Sequence, residues 1–230
     1  MKILFALYRE WAEKVFFAVA PMMQQRNHFY KIVKTPEALL DEVNVEWDVV
    51  ILLGWSWKVP ADVVNNRLVI GMHPSDLPHY AGGSPIQNQI LDGVEQTYAT
   101  LFKLDEKFDE GQIIDKEMID LRGHLHDVLR NITVASSTLV IRFITNFPNN
   151  TYAKQTGEGI KVKRLKPEHS KLPNPMRPVP SQPYPVAIEA MTCKELWNHI
   201  RCREDPYPNA YFEDATGKLI IKQVEFEPKT

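Results

Sequence analysis

The chain has 230 residues, 44% of them apolar, which suits one large domain or a main domain with a small appendage around a substantial core. A net charge of −2 argues against a bulk nucleic-acid or anionic-membrane binder. Its two cysteines, Cys193 and Cys202, make neither a disulfide framework nor a metal box, and they fit a reduced, cytoplasmic setting.

Residues 2–7 read as a buried strand and 9–24 as a helix with Trp11, Val15, Val19 and Met22 at helical spacing. The same stretch imitates a signal peptide, but Arg9, Glu10, Glu13 and Lys14 interrupt the apolar run such a peptide needs. No run is expected to reach transmembrane length. Phe29 to Val33 is a second strand, and Thr35-Pro36 is an N-cap with proline at the first helical position. Trp47 to Leu53 is a third strand, Pro60 to Asn65 a short helix, and Arg67 to Met72 a fourth strand. Strands alternating with helices imply a parallel sheet covered on both faces.

Ser84-Pro85 starts another helix, to about Leu91, with Gly93 as its stop. Thr97 to Leu104 and Gln112 to Ile119 read as strands joined by the charged turn Asp105 to Gly111. A long helix follows, about Leu125 to Phe147, and completes a first unit over residues 1–150. Residues 151–230 form a small extension: a proline-rich connector over Lys171 to Val186, a helix from about Thr192 to Arg203, and a terminal strand pair, Asn209–Glu213 and Lys218–Glu225. This part is too small to fold alone, so it packs on the first part or on another subunit.

His73 stands where the fourth strand gives way to the loop Pro74-Ser75-Asp76-Leu77-Pro78-His79-Tyr80-Ala81-Gly82-Gly83. Strand ends and the loops after them are where α/β proteins bind ligands. Asp109 sits in a tight turn between two later strands, where a carboxylate can meet the imidazole as an acid–base pair. Alone, each also reads as an ordinary turn residue. Residue types and spacing therefore support an α/β protein with a candidate site at a strand end. His124 and His126 flank Leu125 at a helix start and read as surface residues rather than metal ligands.

Four segments carry a resemblance: Leu53 to Pro60, His73 to Pro78, Gly82 to Asn88, and Leu104 to Ile114. In order and spacing they resemble the formyltransferases that use 10-formyltetrahydrofolate. Gly82-Gly83-Ser84-Pro85-Ile86-Gln87-Asn88, with Lys163 to Ser170 and Tyr207 to Phe212, is most similar to the sugar N-formyltransferases. The resemblance implies a Rossmann-like, mainly parallel sheet covered by helices, with a small C-terminal β/α extension. It implies formyl transfer to the amine of a nucleotide-linked amino deoxysugar, with 10-formyltetrahydrofolate as co-substrate and no metal. It also implies a cytoplasmic homodimer with no nucleic-acid or membrane partner. His73 would stabilise the oxyanion, and Asp109 would position His73 and help remove the amine proton. Trp57, Lys58, Val59, Asp105 and Phe108 would hold the folate. Ser84, Lys163, Arg164, Lys166, Tyr207 and Tyr211 would hold the acceptor, the three cations being suited to a pyrophosphate.

Two departures stand out. Relatives carry an asparagine two positions before the histidine, and Gly71 stands there; Ala81 stands where relatives often carry arginine. Asn88 is one candidate to replace the missing amide, with water or a backbone group as another; a slow or inactive protein is the third reading. Other amine formyltransferases, for glycinamide ribonucleotide or methionyl-tRNA, are the alternative within enzymes. A catalytically impaired sugar-nucleotide-binding protein is the alternative outside them. A dinucleotide oxidoreductase is disfavoured, because Tyr8-Arg9-Glu10-Trp11 stands where a glycine-rich phosphate loop would follow the first strand.

Overall fold

A computed structural model describes residues 1–172 and 191–229. Most of the expected proline-rich connector, from residue 173 on, lies outside the described residues. In chain order the elements are β1 (Lys2–Leu7), α1 (Glu10–Gln25), β2 (Phe29–Val33), α2 (Pro36–Glu42), β3 (Val49–Leu53), α3 (Ala61–Asn66) and β4 (Val69–His73). Then come β5 (Ala81–Gly82), α4 (Pro85–Leu91), β6 (Gln96–Lys103), β7 (Ile113–Asp120) and α5 (Leu125–Asn146). The later part holds β8 (Lys161–Val162), a 3-10 turn (Pro167–Ser170), α6 (Cys193–Arg201), β9 (Ala210–Asp214) and β10 (Gly217–Ile221).

The main sheet has the order β2-β1-β3-β4-β6-β7. Its first four strands are parallel, while β6 runs antiparallel to β4 and β7 antiparallel to β6. Alternation along each strand sends side chains to opposite faces. Ile3, Phe5, Leu7, Val49, Ile51 and Leu53 thus face α1 and α5, whereas Leu4, Ala6, Val50 and Leu52 face α2 and α3. Each of these side chains other than Ala6, fully buried, contributes roughly 1.5–3 kcal/mol. The strand order reverses at β1, whose neighbours are β2 and β3, and such a switch point opens a crevice beyond the carboxyl ends of the strands.

Local signals account for several boundaries. The Thr35 hydroxyl accepts from the Ala38 N–H at 3.2 Å and caps α2, with Pro36 in the first turn. In α1 the buried stripe is Trp11, Val15, Val19 and Met23; Met22, expected there, is half-buried. Two elements have no sequence signal. The two-residue strands β5 and β8 pair in parallel across 80 residues of chain, too short for any periodicity.

The expectation of no membrane-length run needs correction: α5, 22 residues, is long and apolar enough to cross a membrane by length and composition. Its Val128, Ile132, Leu139, Val140 and Phe143 are buried in the core with α1, Arg130 is exposed, and Arg142 reaches across to Asp115 and Glu117 on β7. Core packing accounts for its apolar face.

The C-terminal segment packs on the first unit. Buried Arg201 donates from Nη1 to the Leu121 and Gly123 carbonyls at 2.6 and 2.9 Å, and Cys202 enters the main core. Glu204 caps α5, accepting the Leu125 N–H at 2.9 Å and meeting His124 Nδ1 at 2.7 Å. His124 is thus an ion-pair partner rather than the surface residue expected, while His126 is exposed. Burial opposes charge on His124, but Glu204 and then Glu225 outweigh it and raise its pKa. That contribution is full below pH of about 6.5 and fades as pH rises through the raised folded value. Burial, with Arg203 nearby, instead lowers His199 to about 4. Its contribution is full above pH of about 6.5 and is lost as pH falls toward the folded value. Thermal melting should therefore show an acid limb that His199→Phe flattens and a mild alkaline decline that His124→Gln flattens. Unchanged limbs in both variants would contradict this account of how α6 docks.

Candidate active site

His73 is the last residue of β4 and is 7% exposed. Its Nε2–H donates to the Tyr80 carbonyl at 2.9 Å, so Nε2 carries a proton, and Nδ1 faces Asp109 Oδ2 at 3.6 Å. That gap exceeds a hydrogen bond. A proton on Nδ1 would face the carboxylate directly as an imidazolium. Asp109 Oδ2 also accepts the Gly82 N–H at 2.8 Å, and its side chain is 10% exposed. The two residues predicted from the strand end and the turn, 36 positions apart in sequence, are thus brought together.

Three non-glycine residues around this pair have left-handed backbones: Tyr80 (φ 56), Ser84 (φ 54) and Asp109 (φ 57). Such conformations are unfavourable and persist where surrounding contacts over-determine them. Thr100, paired opposite His73, donates its hydroxyl to the Ser75 carbonyl at 2.6 Å. Gln89 donates to the Pro74 and Pro85 carbonyls at 2.9 and 3.0 Å. Lys116 donates to the Leu77 carbonyl at 2.8 Å and pairs with Asp76. Thr100, Gln89 and Lys116 hold the loop after β4 in place. Sequence reasoning missed them because each lies on a separate element with no motif of its own.

Gly71 has a structural explanation. A Cβ there would stand 2.6 Å from Leu104 Cδ1 and 3.2 Å from Phe102 Cε1. Apolar side chains fill the space an asparagine would need. Asn88 does not compensate. Its Nδ2 donates to the Gly83, Ser84 and Lys163 carbonyls at 3.1, 2.9 and 3.3 Å, and Asn88 is absent from the cavity lining. The expectation that Asn88 reaches the pocket is therefore corrected: its amide is consumed in tying the start of α4 to the segment after β8. Gly71→Asn should lower the melting temperature, and adding Leu104→Ala should recover part of the loss by vacating that space. Independent, additive effects of the two changes would refute the steric account.

His73 and Asp109 open onto a cavity of about 350 Å³ at the switch-point crevice. Trp57, Lys58, Val59, Asp105 and Phe108 line it, and so do Ser84, Arg164 and Tyr207. Lys163, Lys166 and Tyr211 do not line it. Lys166 pairs with Glu168 at 3.6 Å, and Tyr211 lies under Lys218 Nζ at 3.5 Å from its ring centroid. A compact run of sequence thus splits: Arg164 and Leu165 line the cavity, while Lys163 and Lys166 on either side of them do not.

Two lining residues were given no role from the sequence. Trp55 forms an aromatic wall with Trp57 and Tyr8, at centroid distances of 5.0 and 4.3 Å along the row, and its buried indole N–H has no partner among the described residues. Arg9 lays its stem against Gly54, where a Cβ would stand 2.9 Å from Arg9 Cγ, and its guanidinium rests 4.6 Å from the Tyr8 ring. Among the described residues, no group of three or more His, Cys, Asp and Glu side chains could hold a metal ion.

Fold and site together define an α/β protein with a buried histidine–aspartate pair at the carboxyl ends of parallel strands. Residues 14–129 match the family model described as formyl transferase, and the chain belongs to that family. A methionyl-tRNA formyltransferase from Rickettsia massiliae is 27% identical over 205 residues, covering 85% of this chain and 62% of the relative. The chain thus spans about three-fifths of the length of that curated relative. Among solved structures, a methionyl-tRNA formyltransferase from Clostridium thermocellum superposes with a TM-score of 0.83 at 22% identity, covering 99% of this chain and 94% of its own. A sugar N-formyltransferase from a Shewanella species gives 0.74 at 17%, covering 100% and 99%. HypX from Aquifex aeolicus in complex with tetrahydrofolic acid gives 0.78 at 17%, covering 97% and 37%. These likenesses support the fold.

Proposed function

We propose that the protein transfers a formyl group from 10-formyltetrahydrofolate to the amine of a nucleotide-linked amino deoxysugar. The observation that carries the transfer reaction is the His73–Asp109 pair facing a cavity at the switch point in a chain of the formyl transferase family. The amine nitrogen attacks the formyl carbon and the carbonyl electron pair moves to oxygen, where a proton on His73 Nδ1 stabilises it. Asp109 takes the amine proton. The oxygen's electron pair then re-forms the C=O bond as the carbon–N10 bond breaks, and the electron pair left on N10 takes the proton that Asp109 accepted. The indoles of Trp55 and Trp57, which line the cavity, suit the flat face of a pterin.

For the acceptor, Arg9, Lys58 and Arg164 line the cavity and favour an anionic substrate. A net charge of −2 gives no general electrostatic advantage to a polynucleotide. Methionyl-tRNA is the second reading, favoured by the curated relative. The test is formylation with 10-formyltetrahydrofolate and two acceptor sets, read by mass. One set holds dTDP-, UDP- and GDP-linked amino sugars, and the other holds methionyl-tRNA. A mass gain of one formyl group on a sugar nucleotide alone supports the proposal. Formylation of methionyl-tRNA alone replaces it with the second reading. Tight sugar-nucleotide binding without any transfer points to an impaired, binding-only protein.

A further inference from the structure

We infer that Gln155 is a positioning residue that sets where the Asp109 carboxylate stands relative to His73. Gln155 Nε2 donates to two backbone carbonyls of one turn, Asp109 O at 2.7 Å and Gly111 O at 2.9 Å. Both protons of the amide are thereby aimed at the residues that bracket the turn. Asp109 itself has an unfavourable left-handed backbone, φ 57, which needs external support to persist.

Packing holds the turn at Gly111, which lies against the Lys103 backbone, but not along the loop that precedes Asp109. The catalytic cavity lies against the loop 104–109 on one side, and a second cavity of about 880 Å³, lined by Leu104, Asp105, Glu106, Lys107, Asp109 and Gln155, lies against it too. A loop with open space on two sides is held by its hydrogen bonds. The segment carrying Gln155 is well anchored for this task. Ala153 and Ile113 exchange both backbone hydrogen bonds at 2.8 Å, two residues before Gln155 and two after Gly111.

The same stretch of chain also supports the other partner. Ile160 and Val162 carbonyls accept from the Ala81 and Gly83 N–H groups at 2.9 and 3.1 Å. That holds Gly82, whose N–H binds Asp109, and adjoins Tyr80, whose carbonyl binds His73. Residues 153–162 therefore brace both halves of the pair, although they lie beyond residues 14–129, where the family model matches. Within this brace Lys161 pairs with the Glu110 side chain at 2.6 Å, while Gln155 reaches the backbone of the Asp109 turn itself.

The role of Gln155 is one of geometry and is tested apart from the proposed reaction. The His73 ring ¹⁵N signals are recorded in the wild type, Asp109→Asn and Gln155→Met, the last being similar in length without amide protons. Gln155→Met should move the His73 signals at least halfway toward those of Asp109→Asn, with the melting temperature nearly unchanged because Gln155 is only half-buried. Wild-type signals in a folded Gln155→Met would overturn the inference. In the wild type itself, through-hydrogen-bond couplings from the Gln155 amide to the Asp109 and Gly111 carbonyl carbons should be visible. Their absence overturns it as well, whatever the variant's folding. Where the wild type turns over, Gln155→Met should lower kcat by roughly 10²-fold with KM little changed. A wild type that transfers no formyl group fails the proposed function, while the ¹⁵N signals and couplings still decide the role of Gln155.

Discussion

Replacing His73 with alanine should lower formyl transfer roughly 10²–10⁴-fold, the range for a lost oxyanion donor or acid–base group. The physical case rests on how little else faces the reacting centre. Gly71 offers no side chain, and the Asn88 amide is spent on three carbonyls. In the proposed reaction His73 is the oxyanion donor, and a water admitted by alanine would lack its fixed direction. Asp109→Asn should fall in the same range, since an amide keeps the shape but cannot take the amine proton. His73→Ala also strips the Tyr80 carbonyl of its partner, which costs about 1–3 kcal/mol if water cannot replace it. The measurements are kcat and KM on purified variants beside thermal melting. Wild-type turnover in either folded variant would remove the pair from the mechanism.

Gly111→Ala should be as damaging as Asp109→Asn, though Gly111 bears no functional group. An added Cβ would lie 1.7 Å from the Lys103 carbonyl oxygen and 2.9 Å from its carbon. Both are backbone atoms, so no side-chain rotation relieves the overlap. Lys103 is also tied to this turn, its N–H donating to the Gln112 carbonyl at 2.8 Å. The turn must shift away from β6, and Asp109, two residues earlier, must move with it. The expected loss of stability is roughly 1–3 kcal/mol, typical of overpacking. The expected loss of activity is much larger than that instability explains. Urea denaturation and kcat together check it: an unchanged midpoint with full activity would mean that the turn has slack the distances deny.

The first unit was legible because its signals are local. Apolar runs such as Trp47 to Leu53 and Arg67 to Met72, alternating with helical periodicity, led to the observed β3 and β4 within two residues at either end. His73 and Asp109 were found from their place at a strand end and in a turn, and the resemblance joined them. The missed features are of another kind. Trp55, Arg9, Thr100, Gln89, Lys116 and Gln155 reach the site from separate parts of the chain. Apart from Trp55, which lies inside the resembling segment Leu53 to Pro60, nothing in their own neighbourhoods distinguishes them from core or surface residues. Lys163 and Lys166 misled for the converse reason: closeness in sequence to Arg164 and Leu165 does not place them at the cavity that those two line.

Gly71 divides the two kinds of information most clearly. The sequence by itself determined that no amide stands before His73, because composition at one position needs no folding to read. Tertiary structure decided that Leu104 and Phe102 occupy the vacated space and that Asn88 is held elsewhere. It also decided that Asp109 comes within 3.6 Å of His73 and is braced by Gln155. The physical reason is range. Periodicity, caps and turns arise from neighbours a few residues apart, whereas the filling of a cavity and the support of a strained turn depend on segments that meet only when the whole sheet has closed around them.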